Sequence, residues 1–362
     1  PAAIDSGSGD LDLGGHGCVG CATAPPNRAY DHAASSSSRA AFPFSFSNTY
    51  ETCDLKHPTA PCTVSGRLYK DQVSLAGFGP VEVRLGAIEK QDANFGQFEQ
   101  IDGVVGFTSG GNEDVFSQLV QAGQCEHVWA LCMHHGSHSN GTLTIGGVDA
   151  RLSDGPIAYV PDASAHGFHS VDVASFTLSP PMAVGATAPT APAAPAARAA
   201  PAAPVRAPVS VPVHAAAILD TGTNVLLLPP ALLSALGEAM CADPSLATCA
   251  ALWADTCVAL TAAEVDAYPS LSLTLSGAEL HMGPRDYLLR GSPLASSAGQ
   301  FCLGIRSGGE LFIIGDTTMR NYYLVFDYAQ KRIGWGAVNR KAGGCGSIQE
   351  GEVAAEFALG RP

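Results

Sequence analysis

The 362-residue sequence predicts a mostly β protein of two related lobes, antiparallel sheets with minor helices. Three observations carry this reading. Apolar and β-branched runs are short and are separated by Gly, Ser, Asn and Asp, the punctuation of strands and turns. Helical stretches are few. A short pattern, Ile4-Asp5-Ser6-Gly7-Ser8, returns as Leu219-Asp220-Thr221-Gly222-Thr223, and an apolar-apolar-Gly element follows each copy about 100 residues later.

Among the strand candidates are 81–85, 143–145, 271–275 and 322–326. Helices are predicted over 113–121 and 230–240, the second opening on Pro230, whose fixed φ and missing N–H suit a first turn. Between 180 and 212 the composition changes to almost nothing but Ala and Pro, with no residues able to bury a face. The β-like runs on either side, 170–178 and 213–219, are read as two arms of one hairpin, with the insertion at its tip rather than between domains. The expected division is a first lobe over 1–162, a second over 163–345 and a tail over 346–362.

Bulk properties exclude several function classes. With 46% hydrophobic and 14% charged residues, a chain of this length can bury a core for two domains. A formal net charge of −14 leaves no surface for tracking phosphates and argues against nucleic acid or anionic membrane as a partner. No apolar run reaches the roughly 18 residues needed to span a bilayer. Eleven cysteines point to disulfides of the secretory route, with at least one left unpaired. The triplet Asn140-Gly141-Thr142 is a glycosylation acceptor that suits an exposed loop in such a protein.

The doubled Asp motif has a chemical reason. Hydrolysing a peptide without a metal or a nucleophilic side chain needs one group to take a proton from water and another to give one to the carbonyl oxygen. Two carboxylates can do both if they share a proton, because at roughly 3 Å like charges cannot both ionise. Asp5 and Asp220 are the candidate pair. Gly7 and Gly222 let each loop approach the other without a Cβ. The hydroxyls of Ser6 and Thr221 can bond across the interface, and those of Ser8 and Thr223 can hold the outer carboxylate oxygens. No cofactor is required.

These loops, with Val104-Val105-Gly106 and Ile313-Ile314-Gly315, resemble those of the pepsin-like aspartic proteases. The segment from Ile313 through Asn321-Tyr322-Tyr323-Leu324-Val325-Phe326-Asp327 to Arg332-Ile333-Gly334-Trp335 is similar to the family's closing stretch, and the likeness runs from Ile4 to Val338. It implies an aspartic endopeptidase acting on polypeptides in acid, a bilobed monomer whose cleft takes an extended peptide, in an extracellular or vacuolar/lysosome-like compartment. The alternative is an inert binding or inhibitor protein of the same fold. Residues 46–52 resemble the family's flap strand and 65–73 its return, which makes Tyr50 the flap tyrosine.

The departures are specific. Ser6 stands where threonine is usual. Asp12 stands where many members carry a tryptophan that bonds the flap tyrosine, leaving the flap's positioning open. The flap tip is lengthened between Cys53 and Cys62, which a disulfide would pin. Family members have a strand-rich segment before the first Asp, so a truncated sequence is expected from the four residues preceding Asp5. Cys257 with Cys302 resembles the family's second-lobe disulfide; Cys241, Cys249 and Cys345 have no assigned partners. Cys18-Val19-Gly20-Cys21 and Cys132-Met133-His134-His135 with His138 carry metal-binding residue types but lack zinc-finger spacing, so no metal is expected.

Overall fold

The computed structural model describes residues 2–21, 28–51, 62–92, 102–108, 113–133, 141–164, 167–181, 207–292, 294–340, 345 and 358–359. Most of the insertion and tail, Asn140, His134, His135, His138, Cys53 and the far end of the flap hairpin lie outside the described residues.

The fold is mostly β. Two seven-stranded sheets dominate, one from each half of the chain apart from a tail strand, Ala358–Leu359, at the edge of the first. The predicted strand segments fall inside Phe78–Gln91, Gly141–Ile145, Ser270–Leu275 and Tyr322–Asp327. Helix Val115–Gln121 is capped by Asp114, whose carboxylate accepts from Ser117 N at 2.8 Å and Ser117 Oγ at 2.6 Å. Helix Pro230–Cys241 begins on its proline.

Strands Ser170–Ser179 and Val209–Leu219 pair antiparallel, from Ser170 opposite Ile218 to Leu178 opposite Val209. The Ala/Pro insertion therefore joins neighbouring strands of one sheet, and its missing apolar face costs the core nothing.

A five-stranded sheet takes strands from both sides of residue 162. Tyr322–Asp327 pairs with Val128–Met133, and Arg332–Ala337 pairs with Ala158–Pro161. The closing segment of the chain is thus built into the first half. At its centre Trp129 stacks on Phe326, with ring centroids 4.0 Å apart. Trp129 Nε1 donates to the Tyr328 hydroxyl at 3.2 Å, which in turn donates to the Phe107 carbonyl at 2.7 Å.

Disulfides join Cys18 to Cys21, Cys132 to Cys345, Cys241 to Cys249 and Cys257 to Cys302, and Cys62 is also disulfide-bonded. Cys125 is the free cysteine among the described residues. Cys18, Cys21 and Cys132, the thiols of the two metal-like motifs, are consumed in this way. No helix among the described residues is long and apolar enough to cross a membrane.

Candidate active site

Each Asp loop is built by the same threading. Strand Ala2–Asp5 runs parallel to Gly103–Gly106, and Leu11–Val19 pairs antiparallel with the other edge of that strand. In the second half Ile313–Ile314 lies between Val209–Leu219 and Leu226–Leu228 in the same senses. The apolar-apolar-Gly element is therefore the wedge between the strand entering each loop and the strand leaving it. Its apolar pair is buried, and its glycine is required because a Cβ on Gly106 would stand 2.5 Å from the Ser8 carbonyl, and one on Gly315 2.2 Å from that of Thr223.

The two loops then lock to one another. Ser6 N donates to Thr221 Oγ1 and Thr221 N to Ser6 Oγ, both at 3.0 Å. Each hydroxyl donates onward across the interface, Ser6 Oγ to the Leu219 carbonyl at 2.8 Å and Thr221 Oγ1 to that of Ile4 at 2.6 Å. Serine in place of threonine at position 6 leaves this reciprocal pattern intact, since the hydroxyl does the bonding.

The carboxylates are held alike. Asp5 accepts from Gly7 N at 2.8 Å and Ser8 Oγ at 2.6 Å; Asp220 accepts from Gly222 N at 2.8 Å and Thr223 Oγ1 at 2.5 Å. Both aspartates are buried, and each faces the other loop's glycine. A Cβ on Gly7 would meet Asp220 Cγ at 2.6 Å, and one on Gly222 would meet Asp5 Oδ1 at 2.8 Å. Burial, and after it the charge of adjacent Asp220, raises the Asp5 carboxyl well above the usual carboxylate range. So placed, the Asp5 carboxyl holds its proton more tightly than an isolated aspartate would.

The sequence pattern of the family described as eukaryotic aspartyl protease matches residues 2–191 and 207–338. The chain belongs to the eukaryotic aspartyl protease family. The break between the two matched stretches falls in the Ala/Pro insertion. Pepsin A of Sus scrofa is 23% identical over 278 residues, covering 75% of this chain and 63% of that protein, and pepsin A of Bos taurus is 23% identical over 292 residues, covering 79% and 68%. The match thus spans less than two thirds of the pig protein's length.

Within this aspartyl protease frame, Tyr50 ends strand Arg39–Tyr50, which pairs with Cys62–Leu75. Its hydroxyl donates to Asp12 Oδ2 at 2.9 Å. Asp12, left without a role by the sequence pattern, is thus the side chain that Tyr50 meets. Burial pushes the Asp12 carboxyl up to about 6, against the hydrogen bonds from Asn48 and Tyr50. Asp316 is a second residue that sequence reasoning passed over. It follows the second wedge glycine, its Oδ1 is shielded with no hydrogen-bond partner among the described residues, and burial followed by the charge of Asp220 pushes it up to about 7. Its signal was its place directly after Ile313-Ile314-Gly315.

Proposed function

We propose that this chain carries the catalytic centre of an aspartic endopeptidase that hydrolyses polypeptides in acid. The observation that supports it most is the pair of buried carboxylates, each fixed by a main-chain N–H and a hydroxyl, on loops that interlock through Ser6 and Thr221. Asp5 and Asp220 share one proton. The ionised member takes a proton from water as its oxygen attacks the scissile carbonyl, and the protonated member gives its proton to the carbonyl oxygen. The proton taken from water then passes to the leaving nitrogen, the C–N bond breaks, and a hydroxyl of the tetrahedral centre returns its proton to the other carboxylate as the new carboxyl group forms. The pair titrates as a unit.

Ser6, Gly7, Ser8, Thr221, Gly222 and Thr223 hold the pair in register, and Tyr50 is the flap residue that closes over substrate and excludes water. A monomer of the secretory pathway, extracellular or vacuolar, suits the cysteine usage. The test is cleavage of a denatured protein by the full-length protein across acid pH, with and without a statine-type transition-state mimic. Acid cleavage blocked by the mimic is expected; an inert protein would support the binding-protein alternative.

A further inference from the structure

Strand period places Phe46, Asn48 and Tyr50 on one side of strand Arg39–Tyr50. All three converge on one side chain from another part of the sheet. Tyr50 Oη donates to Asp12 Oδ2 at 2.9 Å, and Asn48 Nδ2 donates to the same oxygen at 2.8 Å. The other oxygen, Oδ1, lies beside Gly86 and the Phe46 ring. A Cβ on residue 86 would stand 2.3 Å from that oxygen and 2.5 Å from Phe46 Cζ, so the carboxyl fits only because residue 86 is glycine.

Asp12 is itself rigidly placed. It is 1% exposed, and its backbone is paired to Gly86 on one side and to Val104 on the other. Val104 belongs to the wedge strand that lies between the strands entering and leaving the Asp5 loop. Asn48 Nδ2 also reaches Asp10 Oδ2 at 3.0 Å, so the strand is tied to two carboxylates of the segment leaving that loop. Burying a carboxylate is costly unless it is well satisfied, and the two side-chain donors named for this one both come from the flap strand.

We propose that Asp12 is a positioning residue for the flap, its Oδ2 fixing Tyr50 and Asn48 relative to the Asp5 loop so that the flap closes in one orientation. This rests on the peptidase reading above. The bond lies at the tip-side end of the described hairpin, where Tyr50 stands opposite Cys62. Asp12 does not touch the reacting atoms; it acts through Tyr50.

The test uses the full-length protein and four variants: Asp12→Ala, Asp12→Asn, Tyr50→Phe, and Asp12→Ala with Tyr50→Phe. Losing a hydrogen bond to this buried carboxyl is expected to lower kcat about tenfold in Asp12→Ala and in Tyr50→Phe, with a smaller change in KM. Asp12→Asn, which keeps a carbonyl acceptor, should recover most of the loss. The double variant should be no worse than the poorer single one, because both break the same contact. Parental kcat in Asp12→Ala, or losses that multiply in the double variant, would overturn the proposal. Hydrogen exchange of residues 45–50 and 62–66 provides a readout independent of catalysis. It should accelerate in Asp12→Ala and in Tyr50→Phe, and unchanged protection in both would also overturn the proposal. If the full-length protein cleaves nothing, the peptidase reading fails, while exchange still decides whether Asp12 holds the strand.

Discussion

The two Asp loops are near copies in their hydrogen bonds and unlike in their surroundings. Asp5 and Asp220 each take one main-chain N–H and one hydroxyl, and Ser6 and Thr221 exchange equivalent bonds. Beyond that shell, the first loop faces the flap strand, where Tyr50 and Asn48 meet Asp12, whereas the second has Asp316 beside Asp220 and no counterpart of the flap described against it. Repetition fixes where the carboxylates sit, and the unlike neighbours give each side its own surroundings.

The sharpest way to break the symmetry is to remove one member of the pair. Asp5→Asn or Asp220→Asn in the full-length protein should each lower kcat by about 1,000-fold or more, because neither half can make both proton transfers alone. The parental rate should follow a bell-shaped pH profile, falling when both carboxyls are protonated and again when both are ionised. Peptide hydrolysis across pH checks both statements, and near-parental turnover in either variant would sink the pair assignment.

The unlike neighbours should show in stability. Asp12 and Asp316 rise from 3.8 to about 6 and about 7 in the folded protein, so the folded state holds protons that the unfolded state has released. Stability from these groups is full below pH 4 and falls as pH rises towards 7, by up to about 3–4 kcal/mol for each group at roughly 1.4 kcal/mol per unit. Carboxylates held low act in the other direction at lower pH. Asp71, despite the opposing effect of burial, is held down by hydroxyls of Ser37, Tyr30 and Ser35, and its contribution is lost only as pH falls further. Thermal melts should therefore show falling stability between pH 4 and 7, and Asp316→Asn should flatten that fall. A melting temperature that rises over this range in the parent would refute the assignment.

The interlocking bonds test what the two loops share. Thr221→Ala strands Ser6 N and the Ile4 carbonyl, while Ser6→Ala strands Thr221 N and the Leu219 carbonyl. Each should cost about 1–3 kcal/mol in denaturant unfolding, and by similar amounts, since the pattern is reciprocal. A large inequality would show that one loop carries the interface. The smallest effect is expected from the insertion. Removing residues 184–206 and closing the hairpin with a short turn should leave stability unchanged or raise it by no more than about 1.5 kcal/mol, the loop-closure scale of a roughly fivefold shortening. A clear drop in melting temperature would mean that the segment packs on the lobe.

Sequence reasoning reached the residues whose roles repeat. The doubled Asp loops and wedge glycines were legible because the same local problem, a tight turn pressed against another backbone, demands the same small and hydroxyl-bearing residues each time. The helix start at Pro230, the β character and the strand segments were legible for a similar reason, since strand period and turn chemistry act over a few neighbours. Cys257 with Cys302 was reached only through family resemblance.

What stayed hidden depended on register across long separations. The Cys132–Cys345 link and the seating of Tyr322–Asp327 beside Val128–Met133 join positions that no local pattern relates, and only family resemblance pointed from position 12 to Tyr50, with a different side chain expected there. Asp12 reads in sequence as a misplaced charge at a position where an aromatic ring was expected. Only the parallel pairing of Asp12 with Gly86 and the antiparallel fold of strand Arg39–Tyr50 onto its neighbour bring that carboxyl under Tyr50. The sequence by itself determined which side chains meet at the two interlocked loops, because turn and wedge constraints are local. The tertiary structure alone decided which charges and neighbours they meet, because burial and Coulomb interaction depend on distance in space rather than along the chain.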